Sequence, residues 1–442
     1  MRYDIVIHGG TIVTVNADFE IIADGLICIK DRRLARVEAR SASAPLPQAD
    51  KTVDAKGMIV LPGLVNAHTH MPMTLFRGLA DDLPLQQWLQ EHIFPAEATH
   101  INSESVQLGT SLACAEMILS GTTTCCDGYF LEGDVATAVN NCGVRAVLGH
   151  GVIDFPAPGI TDPAENIRIA ARFAEMWLAE SSLIRPSIFC HSPYTCSAKT
   201  LQAAKKAADE NSLLFQIHVA ETRNEQNLIQ SDHITSPVQY LDQLEIIDTN
   251  TLLVHGVWLD ETDIDIIVQR GASVVHNPES NMKLAAGIAP VPELLDAGVV
   301  LGLGTDGCAS NNNLDLFQTM DIAAKLHKVR KLDPTTVDAD CVLTMATLGG
   351  ARAIGLDEEI GSLEIGKKAD LIMLNARQPH LVPLYHPVSH IVYSARGSDV
   401  TTVIIDGRFV LEDGRLLTIN LNEVLENTIE LTKNIATKDA DR

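Results

Sequence analysis

At 442 residues the chain exceeds one typical domain and can bury a large core. A formal charge of −24 and a pI near 4.9 argue against nucleic acid or an anionic membrane surface as partner. No apolar run approaches the ~18 residues that span a bilayer, and the nine cysteines form no C-x-x-C pair, so a membrane span and a disulfide or zinc-ribbon scaffold are not expected.

The first residues read as a strand, without the apolar core of a signal peptide, and the cytoplasm is the expected location. Short β-like runs follow at 4–8, 11–15 and 26–30, punctuated by Gly9-Gly10 and Asp31-Arg32-Arg33. Residues 41–48, rich in Ser, Ala and Pro, read as an exposed loop. From 62 to 365, strand-like and helix-like segments alternate. Candidate strands end at His70, Asp127, Gly149, His191, His218, His255, His276 and Asp306, and helices are predicted over 103–119, 164–180 and 199–211. Eight such units match a closed (β/α)8 barrel. Residues 366–442 return to the β style, with runs at 370–374, 391–393, 400–405, 410–412 and 415–418 and a polar helix near 422–434. The expected fold is therefore α/β: a TIM-like barrel over 62–365, and a small β-sandwich built from both chain ends, 1–61 and 366–442.

Several of the candidate strands end in a metal-ligating side chain. Residues 58–64 lead to His68-Thr69-His70, residues 213–216 to His218, residues 251–253 to His255, and residues 299–303 to Asp306. In a parallel barrel these ends converge on one mouth. Residues i and i+2 of a strand share a face, so His68 and His70 can reach one cation. A lone H-x-H is more often structural than ligating; a set of such residues at successive strand ends is not readily explained as core histidines.

Pro62-Gly63-Leu64-Val65-Asn66-Ala67-His68-Thr69-His70, with His218-Val219-Ala220-Glu221, Val254-His255-Gly256 and Gly304-Thr305-Asp306-Gly307, resembles the amidohydrolase superfamily over nearly the whole chain. His276-Asn277-Pro278-Glu279-Ser280-Asn281-Met282-Lys283-Leu284 and the stretch from Gly304 to Asn312 look like its branch of adenosine-type deaminases and triazine chlorohydrolases. Met73-Thr74-Leu75-Phe76-Arg77-Gly78, Trp88, Pro95-Ala96-Glu97 and His191-Ser192-Pro193-Tyr194 are most similar to the 5-methylthioadenosine/S-adenosylhomocysteine deaminases.

The resemblance implies one Zn²⁺ per chain on His68, His70, His218 and Asp306, although such a ligand set also accepts other divalent metals. It implies Glu221, His255 and Asp306 as the catalytic groups. Glu221 would carry protons to the substrate, His255 would orient the attacking water, and Asp306 would take its proton. Trp88, Glu97, His191, Glu221 and Ser310 would contact a purine nucleoside, with Glu97 on the ribose hydroxyls and Trp88 over the base or its tail. Lys283 reads as an anchor of its own loop rather than a substrate contact.

Three absences sharpen the expectation. Binuclear members bridge their metals with a carboxylated Lys at the end of strand four, where this chain reads Phe189-Cys190-His191, so a single metal is favoured. The H-x-E…P-C-x-x-C signature of the other zinc deaminases is missing, which argues against editing of a polynucleotide. No arginine stands in Leu148 to Asp154, where some relatives meet a substrate carboxylate, and this favours methylthioadenosine over S-adenosylhomocysteine. Competing readings are guanine deamination, triazine dechlorination and a catalytically silent scaffold; the intact ligands and Glu221 argue against the last. A homo-oligomer is compatible with the sequence, with no interface signature in it.

Overall fold

The computed structural model describes residues 2–41 and 43–439. Eight parallel strands form one sheet in chain order: Leu64–Thr69, Thr122–Tyr129, Arg145–Val152, Ile184–Cys190, Leu214–Val219, Thr251–His255, Ser273–His276 and Leu301–Leu303. Helices cover their outer face, so nearly every strand residue is buried. That is why the sequence reads as apolar runs rather than as alternation. The ring closes where the Asp306 N–H donates to the His68 carbonyl at 3.0 Å. Closure requires Gly304, because a Cβ there would lie 2.3 Å from Asn277 Oδ1 and 2.9 Å from the His68 carbonyl oxygen.

Three helices fall where the periodicity placed them, over Ser103–Leu119, Asn166–Glu180 and Ala198–Glu210. Two carry side-chain caps that explain their starts: Asn102 in a capping box with Ser105, and Ser197 accepting from the Thr200 amide. The chain ends in the helix Leu421–Asp439. No helix among the described residues is long and apolar enough to cross a membrane.

The two ends of the chain build two further sheets. One uses Tyr3–His8, Gly25–Lys30, Arg33–Ala39 and Ala49–Asp54. The other interleaves Thr11–Val13, Ile21–Ile22 and Met58–Pro62 with Leu371–Asn375, Val400–Ile405, Arg408–Glu412 and Arg415–Leu416. Ile5, Ile7 and Ile29 on the first face Val60, Leu371 and Ile404 on the second in one apolar layer. The tight hairpins turn at Asp31-Arg32 and Asp406-Gly407, each pair with positive φ, as a two-residue hairpin turn demands.

One element differs from the sequence expectation. Residues 391–393 are the end of a helix, Pro387–Tyr393, and not a strand. Proline in its first turn presets the helical φ. Val388, Ile391 and Val392 recur at helical spacing and are buried where the helix packs on Ala339–Met345 and Leu316–Lys331. A three-residue apolar window is too short to separate the two periods.

Arg145 joins barrel and sandwich. Its buried guanidinium donates to both oxygens of Asp370, at 2.7 and 3.1 Å, and Asp370 also accepts the Asp406 amide at 2.7 Å. Removing one partner of a buried pair strands the other charge. Asp370→Ala is expected to destabilise the fold by about 3–5 kcal/mol in urea denaturation; a loss under about 1 kcal/mol would mean that Arg145 finds water or another acceptor.

Candidate active site

The metal-ligating side chains meet at the C-terminal mouth of the barrel. His68 Nε2 lies 3.2 Å from His218 Nε2 and 3.5 Å from Asp306 Oδ1, and His70 Nε2 lies 3.3 Å from the same oxygen. The ligand atoms of His68, His70 and Asp306 all fall within 4.8 Å of one another, as do those of His68, His218 and His255. Backbone strain helps to aim them: Ala220, His255 and Asp306 all have positive φ (52°, 77° and 63°) just at or past their strand ends.

These residues fit a cation. Metal–ligand bonds of 2.0–2.1 Å in a tetrahedron put ligand atoms about 3.3–3.4 Å apart, the spacing seen here. Two largely buried imidazole nitrogens facing each other at that distance suit a shared cation. His70 donates from Nδ1 to the Gly128 carbonyl at 2.6 Å, which leaves Nε2 bare toward the cluster. Burial holds His68 down at about 4, lowers His70 and drives His218 well below the ordinary histidine value, so all three are neutral, as ligands must be. Burial alone would raise the Asp306 carboxyl, but beside His68 and His70 it is held well below the usual range, so it is ionised.

Strand four brings both an apolar ring, Phe189, and the imidazole of His191 to the mouth. Phe189 points into the barrel with its ring centre 5.0 Å from that of His218 and 5.8 Å from that of His70. It occupies space that a glycine vacates: a Cβ on Gly128 would lie 2.5 Å from its ring.

Glu221 stands beside the cluster, nearly buried, with Oε1 3.9 Å from His255 Nε2. Burial raises its carboxyl above the ordinary value, and His255 opposes this only in part. A carboxyl raised in this way is better matched to carrying protons than an ordinary one. Its backbone is clamped by a residue that sequence reading missed. Both oxygens of the buried Glu225 accept amides, from Ala220 at 2.8 Å and from Glu221 at 2.9 Å. An acidic residue four positions after Glu221, at the start of a helix, was the available signal.

The same pocket is lined by Trp88, Glu97, His191 and Ser310, so the residues read as substrate contacts are brought together. Trp88, Leu85, Leu89 and Phe94 come from the segment after strand one and form an apolar side. Glu97 is buried and accepts from Tyr129 Oη at 2.5 Å; burial pushes its carboxyl up to about 7 against that hydrogen bond. Tyr129 was missed, although it stands two residues after Asp127 on the same face of strand two. His191 sets Nδ1 against Thr195 Oγ1 at 3.0 Å. Ser310 Oγ lies 3.0 Å from Asp306 Oδ2 as well as lining the pocket, and Ser280, also missed, lies 2.7 Å from the same oxygen. Lys283 pairs with Asp81 and Asn312 and does not line the pocket, as the sequence reading held. No lysine or arginine lines it among the described residues.

The sequence pattern of the amidohydrolase family matches residues 59–410. The chain belongs to the amidohydrolase family. Among its relatives, the 5-methylthioadenosine/S-adenosylhomocysteine deaminase of Syntrophobacter fumaroxidans is 48% identical over 98% of this chain and 99% of its own. The 5′-deoxyadenosine deaminase of Methanothermobacter thermautotrophicus is 47% identical over 92% of this chain and 93% of its own. Among solved structures, an adenosine deaminase from Xanthomonas campestris with bound zinc superposes with a TM-score of 0.96 at 37% identity, covering 99% of each chain. With this family and these relatives, the amidohydrolase described here is an enzyme, a hydrolytic deaminase.

Proposed function

We propose that the chain hydrolytically deaminates adenosines modified at the 5′ carbon, with one zinc ion held by His68, His70, His218 and Asp306. The observation that carries this reading is the composition of one pocket. It joins the cation cluster and Glu221 to a buried carboxyl, Glu97, and to an apolar side with no cationic side chain. A purine ring, two ribose hydroxyls and an uncharged 5′ tail match those three parts. The names of the relatives support it.

A metal in this cluster supplies Lewis acidity, which makes water a nucleophile near neutral pH. The chain's own groups do the rest. His255 orients the attacking water toward purine C6. Asp306 takes its proton, with the Ser280 and Ser310 hydroxyls steadying the other carboxylate oxygen. Glu221 protonates the ring nitrogen beside C6 and then the departing amine, so that C6 gains the water oxygen and loses ammonia. Glu97 binds the ribose, and the apolar side chains of Leu85, Trp88, Leu89 and Phe94 line the pocket beside it.

A panel of substrates followed by the adenine-to-hypoxanthine absorbance change tests the reading, with ammonia release as control. Burying a thiomethyl group contributes on the order of 1–2 kcal/mol, so methylthioadenosine is expected to exceed adenosine roughly ten-fold in kcat/KM. 5′-Deoxyadenosine should also be used, free adenine poorly. S-Adenosylhomocysteine should trail methylthioadenosine, because nothing in the pocket pairs with its carboxylate. Glu97→Ala is expected to lower nucleoside kcat/KM roughly 10²-fold, since a hydrogen bond to a charged group is worth ~1.5–3 kcal/mol. Guanine as best substrate, or no activity on any nucleoside, would overturn the proposal.

A further inference from the structure

The helix Pro278–Lys283 follows strand seven almost without a loop, and its side chains are committed to different neighbours. Glu279 accepts from Gln318, Thr319 and Asn313 at 2.6, 2.7 and 3.0 Å, which ties the helix outward. Lys283 pairs with Asp81 at 2.5 Å, which ties it across the mouth. Between these anchors Ser280 reaches Asp306, and Asn281 presents Oδ1 to His255 Nδ1 at 2.9 Å. Both side chains are buried.

The Asn281 contact has a direction. An amide oxygen only accepts, so the contact is a hydrogen bond only if the imidazole proton sits on Nδ1. A neutral imidazole carries one proton, and Nε2 is then a lone pair. Nε2 is the nitrogen that faces Glu221. The amide nitrogen of Asn277 lies 3.4 Å from the same Nδ1 and would call for the opposite tautomer, but that contact is the longer and weaker of the two.

We propose that Asn281 is a positioning residue for the reaction: it keeps the His255 proton on Nδ1, so that Nε2 meets the attacking water as a hydrogen-bond acceptor. Of its neighbours, Glu279 anchors the helix and Ser280 reaches Asp306, while Asn281 makes the shorter of the two contacts to His255 Nδ1 and so sets the tautomer. This rests on the deaminase reading, in which His255 orients the water.

Two variants of the full-length, metal-loaded enzyme test it, Asn281→Leu and Asn281→Asp, assayed on whichever adenosine the wild type uses best. Leucine matches the volume without an acceptor; aspartate keeps one. Asn281→Leu is expected to lower kcat about 10–100-fold, the scale for a lost supporting hydrogen bond at a metal site, with KM and metal content little changed. Asn281→Asp should keep kcat within about five-fold of wild type, a rescue that a packing role would not favour over leucine. An Asn281→Leu enzyme as fast as wild type overturns the proposal, as does an Asn281→Asp enzyme impaired as deeply as the leucine variant with metal and circular dichroism intact. Nitrogen-15 NMR of wild-type enzyme labelled at histidine reads the tautomer directly, with the His255 signal assigned by its loss in His255→Gln. A proton on Nδ1 supports the proposal; a proton on Nε2 overturns it even if both variants fail to fold. If the wild type deaminates no adenosine, the functional reading fails, while the NMR result still decides the role of Asn281.

Discussion

His68→Ala and Asp306→Ala enzymes are expected to show no turnover above background, and wild-type enzyme stripped by a chelator should lose activity and regain it when a divalent metal is returned. The reason is geometric. His68 touches both His218 and Asp306 at ligand–ligand distance, so its removal opens the cluster on two sides. Elemental analysis should find about one metal per chain in active wild-type enzyme and less in His68→Ala, because the ligand groups that converge here share His68. Two tightly bound metals per chain in active enzyme, or full activity after stripping, would overturn this account.

Glu221→Gln should lower kcat on the order of 10²–10⁴-fold, the range for losing a general acid–base group. Glutamine keeps the shape and can still hydrogen-bond, but it cannot pass on a proton. Metal content should be normal, because Glu221 lies outside both ligand groups at the cluster, and the backbone clamp from Glu225 is untouched. An almost fully active Glu221→Gln enzyme would place the proton carrier elsewhere.

The barrel was legible in the sequence because its strands are buried on both faces and end in residues with a reason to be there. His218 and His255 mark their strand ends within a residue or so. Strands two and three run a little further than expected, to Tyr129 and Val152. The composite sheets were legible in outline from their turns. Their pairing was not, since nothing local in Met58–Pro62 says that its neighbour is Leu371–Asn375. At the site, residues with a distinctive donor or charge were found. Those that act by holding others were not: Tyr129, Glu225, Ser280 and Asn281 are ordinary residue types whose roles depend on what the fold sets opposite them. Asn281 lay inside a motif already noted, without the partner that gives it meaning.

The pairing of Met58–Pro62 with Leu371–Asn375 also bears on how the chain folds during synthesis. The early strand pairs on one side with Thr11–Val13, made before it, but its other edge has no partner until almost all of the barrel has been made. Strand one of the barrel begins only two residues later, at Leu64, so the barrel must start to assemble beside an unfinished sheet. Such distant pairing slows folding and leaves a sticky edge exposed in the meantime. Protein truncated before Leu371 should therefore aggregate rather than accumulate as a free barrel, and folding yield in the cell should depend on chaperones that shield the N-terminal strands until the last ones arrive.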